Sequence, residues 1–293
     1  MRPAINAFVK APMLIGALVC AWTLSASTKP EAPDVTVFDC ILKSYVLEDG
    51  TVKYAELKAN LALLTRFVEQ IGVVSPDSHP SLFPSREHKL AYWLNTYNAL
   101  VLWIMAKEYP AKKGRLSTED SRTKFFKKLK FEVGRRSLTL DEIERNYIRQ
   151  QFREPRIHFA IVCASASCPW LSRDALRPES LEEQLESRTR LFLNQERNIA
   201  VDTARREVRL SAIFDWFRED FGSSAESVVA FIARYRPDLG IAWQQGKWKL
   251  RYFDYDWRIN EARSECHAGQ GPTSSLTSTL RISLTGTNEQ RRA

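Results

Sequence analysis

His158, Cys163 and Cys168 are the residues of this sequence whose types and spacing could do chemistry together. A cysteine becomes a nucleophile when its thiol ionises, and a nearby imidazole can take the proton. Cys168 precedes Pro169, whose fixed φ suits the first turn of a helix. A thiolate there would be stabilised by free N–H groups and the helix dipole. The expected pairing is Cys168 as nucleophile with His158 as base, the chemistry of a thiol hydrolase or acyltransferase. Cys163 is five residues after His158, an odd spacing that sets the two on opposite faces of a strand. Two other readings stay open: a local disulfide between Cys163 and Cys168, or a pair of buried structural thiols. A lone strand histidine without a second Cys-x-x-Cys argues against zinc. Neither a metal nor a cofactor is expected.

Two further groups could serve this site. Asp256, in Tyr255-Asp256-Trp257, is expected at the end of a strand beside His158, where its carboxylate could orient the imidazole. The alternative is that it caps the following turn. Asn95 and Asn98 are three apart and share one helix face. They either bind a substrate carbonyl or hydrogen-bond the backbone of crossing segments, because an unpaired buried amide costs about 1–3 kcal/mol. Asp215, Glu219 and Asp220 read as surface groups of a separate amphipathic helix.

These residues need elements to hold them. Helical spacing predicts helices from Val35 to Tyr45 and from Tyr54 to Ile71, with a proline-rich loop over 75–84. The strongest helix is predicted from Ser85 to Tyr109; it is apolar nearly all round and therefore central, with Ser85 as N-cap and Pro110 as its stop. Short strands are predicted at Lys130–Val133 and Ser137–Leu140, and a helix at Asp141–Gln151. Arg156–Ala164 reads as a buried strand, and Ser165–Pro169 as a turn. Beyond it come a helix at Arg177–Asn194, a strand at Glu207–Leu210, helices at Ser211–Phe221 and Ser227–Tyr235, and a strand at Trp248–Phe253. The expected fold is α+β: one mostly helical domain over residues 35–260 with a small sheet.

The stretches AYWLNTYNALVLW (91–103), RIHFAIVCASASCPWL (156–171), WFREDFG (216–222) and YDWRIN (255–260) together resemble the family catalogued as domain of unknown function 547. Asn95, Asn98, His158, Cys163, Ser167, Cys168, Asp256 and Asn260 match its motif positions, which adds Ser167 to the substrate-binding candidates. The resemblance implies no particular reaction. One position departs from the family pattern: Ala164 stands where Gly usually follows the first cysteine, a place where Gly would permit a positive φ.

The chain's beginning points to export. Arg2 and Lys10, the apolar run Met13–Leu24 and the small residues Ser25-Ala26-Ser27 follow the order of a secretory signal, expected over residues 1–27. The run is short of the roughly 20 residues that span a bilayer. An uncleaved anchor is the alternative; Val19 before Cys20 argues against lipidation. Residues 28–34 are read as a linker and 261–293 as a disordered polar tail. The expected location is periplasmic or secreted. The net charge of +8 suits an anionic membrane surface or envelope polymer, and no nucleic-acid recognition motif accompanies it. The functional expectation is an exported thiol hydrolase or acyltransferase-like enzyme. The alternative is a non-catalytic envelope binding or scaffold protein whose Cys, His and Asn motifs are structural.

Overall fold

The structure is a computed structural model that describes residues 30–110, 116–244 and 247–262. The expected signal segment 1–27 and nearly all of the expected tail lie outside the described residues.

Helix α1 (Val35–Tyr45) starts where the Asp34 carboxylate accepts the Thr36 N–H, and its Phe38 stacks on Phe67 with ring centroids 5.0 Å apart. The single helix expected from Tyr54 is two, α2 (Tyr54–Ala59) and α3 (Ala62–Val73). Asn60 ends the first by turning its amide onto the Glu56 carbonyl, the competition with helical backbone that disfavours Asn inside helices. Helix α4 (Arg86–Glu108) is capped by Ser85 and is buried almost continuously from Leu90 to Ala106, so the first apolar cluster forms around it.

After α5 (Glu119–Thr123), strands β1 (Lys130–Val133) and β2 (Arg136–Thr139) pair antiparallel. Their connection uses positive φ at Gly134 and Arg135, as a tight hairpin turn requires. The next helical stretch runs from α6 (Leu140–Glu142) through a π-helical turn, Ile143–Arg149, to α7 (Gln150–Phe152). Helix α8 (Leu181–Leu193) follows a 3₁₀ turn at Pro178–Ser180. The remaining elements are β3 (Ile199–Asp202), β4 (Glu207–Leu210), α9 (Ile213–Trp216), α10 (Ala225–Ala233), α11 (Pro237–Gln244) and β5 (Lys249–Tyr252). Strand β4 pairs antiparallel with β3 and parallel with β5. The result is an α+β fold with two small sheets. Among the described residues, no helix is long and apolar enough to cross a membrane.

Two expectations near the site are corrected. Arg156–Ala164 is not a strand: Pro155–Phe159 is a 3₁₀ turn, and residues 161–163 are neither helix nor strand. The reason is Asn98, whose amide donates to the Ala160 carbonyl and accepts the Val162 N–H, replacing a neighbouring strand. Nor does Pro169 begin a helix. Residues 169–177 are irregular, so Cys168 has no helix dipole behind it.

Packing divides into two apolar clusters. The first surrounds α4; the second gathers Phe159, Phe192, Phe214, Phe221 and Phe231 beside the three-stranded sheet. Phe159 belongs to the second cluster while its neighbours Ile157 and Ala160 belong to the first, so the residues around His158 form the seam.

Candidate functional site

A cleft of about 250 Å³ opens along this seam, lined by Cys163, Cys168, His158, Glu144, Tyr97 and Tyr255 with an aromatic wall of Trp216, Phe217 and Trp257. The cysteine loop reaches it through a turn at Ala164, whose φ is +61°. Here the alanine adopts the left-handed conformation that glycine would take more readily. The turn brings the Ser165 hydroxyl back to 3.0 Å from the Cys163 sulfur. The loop is fixed from outside by the chain's last described segment. Ala166 N–H donates to Arg258 O (2.7 Å), Ser167 N–H to Asp256 O (3.1 Å), and Asn260 N–H to Ala164 O (3.1 Å). Tyr255, on the same segment, places its hydroxyl 3.2 Å from the Cys163 sulfur.

Cys163, not Cys168, has the surroundings of a reactive thiol. Both are free, and their sulfurs lie 3.1 Å apart. Burial pushes the Cys163 thiol up, but hydrogen bonds from the Cys168 thiol, the Ser165 and Tyr255 hydroxyls and the Ser165 N–H outweigh it, bringing it to about 7. Cys168 is buried; burial and the neighbouring Cys163 sulfur both hold its thiol well above the usual range. Cys163 is half-buried and lines the cleft, and its thiol is the more readily ionised of the two.

His158 faces the same cleft but is committed elsewhere. Its Nε2–H donates to Asp220 Oδ2 at 2.6 Å, and its ring stacks on Phe217 at 4.2 Å. Arg149 holds the same carboxylate through Nε at 2.6 Å. Burial lowers the imidazole's pKa despite the carboxylate, so the ring is neutral at pH 7. Burial pushes the Asp220 carboxyl up, but the bonds from His158 and Arg149 bring it down to about 2. The expected third member, Asp256, is instead paired with Arg258, which holds its carboxyl low, and it meets the cysteine loop through its backbone.

The substrate-binding candidates are likewise occupied. Asn95 donates to Leu176 O (2.8 Å) and accepts Leu176 N–H (2.9 Å). Asn98 makes the reciprocal pair with Ala160 and Val162 (2.8 and 3.0 Å). Ser167 Oγ accepts the Asp256 N–H at 2.9 Å. None of the three lines the cleft.

Glu144, Tyr255 and Asp220 were not singled out from the sequence as site residues. Glu144 sits in the π turn with Tyr97 Oη 3.5 Å from its Oε2. Burial raises its carboxyl to about 7 against the pull of Arg149, and the Asp141 and Cys163 charges push the same way. The signal for it was an acid three and four residues before Tyr147 and Ile148, on the apolar side of the helix. Tyr255 stood beside Asp256 in the tripeptide already noted. Asp220 carried no signal, because only the 3₁₀ turn Arg218–Phe221 aims it at His158.

Among the described residues, no group of His, Cys, Asp and Glu is arranged to hold a metal. Comparison with curated proteins and with solved structures gives no match. Residues 82–193 match the model of a family described as "Protein of unknown function, DUF547", a stretch that takes in Glu144, His158 and both cleft cysteines but not Asp220 or Tyr255. The chain therefore contains a domain of the DUF547 family.

Proposed function

We propose that this protein is a thiol-dependent hydrolase or acyltransferase with Cys163 as its nucleophile. The observation that carries the reading is Cys163, a half-buried residue lining an aromatic-walled cleft, its thiol held near neutral pKa by surrounding donors. The thiolate would attack an acyl carbon, forming a carbon–sulfur bond as the leaving group departs. Glu144, with its pKa near 7, is matched to proton transfer at neutral pH. As an acid it would protonate the leaving group; as a carboxylate it would then take the proton of the water or acceptor that cleaves the thioester. His158, bonded to Asp220, positions the wall rather than the thiol. The reading keeps the protein outside the cytoplasm, supported by the signal-like order of residues 1–27. N-terminal sequencing of exported protein should find a start between Ala26 and Thr28, and a start at Met1 would refute that part.

The chemical test is alkylation of the purified chain with iodoacetamide, read by mass spectrometry across pH. Cys163 should label with a half-maximal rate near pH 7, against about 8.5 for a free cysteine. Tyr255→Phe should move that midpoint upward by roughly half a unit to one unit, since one donor to the thiolate is lost. An activated p-nitrophenyl ester should acylate Cys163 and leave the Cys163→Ser chain untouched. A Cys163 that labels only after unfolding would end the proposal.

A further inference from the structure

We infer that Cys163 and Cys168 also form a reversible dithiol–disulfide couple that exchanges with low-molecular-weight disulfides entering the cleft. The inference rests on the reading of Cys163 as the accessible cleft nucleophile. Its own support is the placement of the second sulfur. Cys168 Sγ lies 3.1 Å from Cys163 Sγ and accepts the Cys163 N–H at 2.8 Å. A disulfide bond is about 2.05 Å, so closure asks the sulfurs to approach by about 1 Å. The intervening turn is already closed by the Cys168 N–H to Ser165 O bond of 3.1 Å. Arg197 holds the far side of the loop through the Ala166 and Cys168 carbonyls. Sulfur movement therefore needs side-chain rotation rather than a new backbone path.

The two sulfurs are also unequal in the way an exchange requires. Both residues line the cleft, but Cys163 is half-buried and ionises readily, while Cys168 is buried and keeps its proton. The Cys163 thiolate attacks one sulfur of the small disulfide, forming a mixed disulfide and releasing one thiolate. Cys168 then gives up its proton to that thiolate. Its sulfur attacks the Cys163 sulfur and expels the second thiolate, which takes a proton from water. In sum, the protein dithiol loses two electrons and two protons, and the small disulfide becomes two thiols. While bridged, Cys163 cannot act as a nucleophile, so acyl transfer would require the reduced state.

The test uses the purified full chain and oxidised glutathione, with acid quenching, alkylation of remaining thiols and peptide mass spectrometry. The wild-type chain should yield a Cys163–Cys168 bridge with little lasting glutathione adduct. Cys168→Ser should stop at glutathione on Cys163, and Cys168→Ala serves if serine at this buried site prevents folding. Cys163→Ser should leave Cys168 unmodified in the folded protein. If the wild-type chain holds a persistent glutathione adduct on Cys163 without bridging, the couple is refuted while the nucleophile reading stands. If Cys163 reacts neither with glutathione nor with iodoacetamide, both fail together.

Discussion

Ala164 and Glu144 are the residues at which local chemistry bears most directly on the thiol. Ala164 holds φ at +61° and is buried, so the loop that aims Ser165 at Cys163 depends on a conformation an L-residue adopts at a cost. A β-branched side chain tolerates that region least. Ala164→Val should lower stability by about 1–3 kcal/mol in urea melts, and should raise the pH midpoint of Cys163 alkylation as Ser165 moves away. A midpoint and melt like those of the parent chain would mean that the turn does not set the thiol's surroundings. Glu144 makes a pH prediction of definite sign. Its folded carboxyl titrates near 7, above the ordinary 4.5, so the folded state binds a proton more tightly than the unfolded one. Stability from this group is full at low pH and is lost as pH rises between those values, by about 3 kcal/mol at most. Glu144→Gln cannot ionise, so its stability relative to the parent chain should rise from about pH 5 to pH 8. Parallel pH profiles for the two would refute the raised carboxyl.

At the scale of elements, the cysteine segment is held by side chains standing in for secondary structure. The amides of Asn95 and Asn98, on one face of α4, each clasp a peptide of the chain crossing over it. Asn98→Leu is close in size but leaves the Ala160 carbonyl and Val162 N–H without partners. It should cost about 1–3 kcal/mol, with Asn95→Leu similar, read as shifted urea midpoints. Unchanged midpoints would show that water replaces these bonds. The same arrangement explains what was legible in the sequence. Helices α1 and α4 and the β1–β2 hairpin could be read because caps, periodicity and turn residues are local. The buried run Arg156–Ala164 looked like a strand because its composition is that of one. What it lacks is a neighbouring strand, and Asn98, some sixty residues earlier in the chain, supplies the backbone partners instead. His158 and the two cysteines were visible as chemistry-bearing types. Their roles were not, since pKa and access depend on Ser165, Tyr255 and the closing segment 255–261, which meet only in the fold.

At the scale of the whole molecule, the site depends on two apolar clusters meeting along one seam, and Asp220 ties the seam together. It comes from the second half of the chain, beside Phe221 of the second cluster, and reaches His158 and Arg149. Its carboxyl titrates near 2 in the folded protein, below the ordinary 3.8. The stability it contributes is therefore present above the ordinary value and lost as pH falls from there toward 2. The side chain keeps 26% of its surface exposed, so solvent weakens the pair, and a contribution of about 1–2 kcal/mol is expected rather than that of a fully buried one. His158 acts in the same direction. Its lowered imidazole is neutral in the fold, so stability also falls as the unfolded ring takes a proton below about pH 6.5. Asp220→Asn keeps an acceptor for Nε2–H but removes the charge that faces Arg149. It should lower the urea midpoint at pH 7, and the deficit should shrink by pH 3, where the native carboxylate is already losing its advantage. It should leave the alkylation midpoint of Cys163 within a few tenths of a unit, because the groups that lower that thiol are Cys168, Ser165 and Tyr255. A deficit equal at both pH values would show that Asp220 acts by shape rather than charge. A large shift in Cys163 reactivity would instead make the His158–Asp220 pair part of the machinery that activates Cys163.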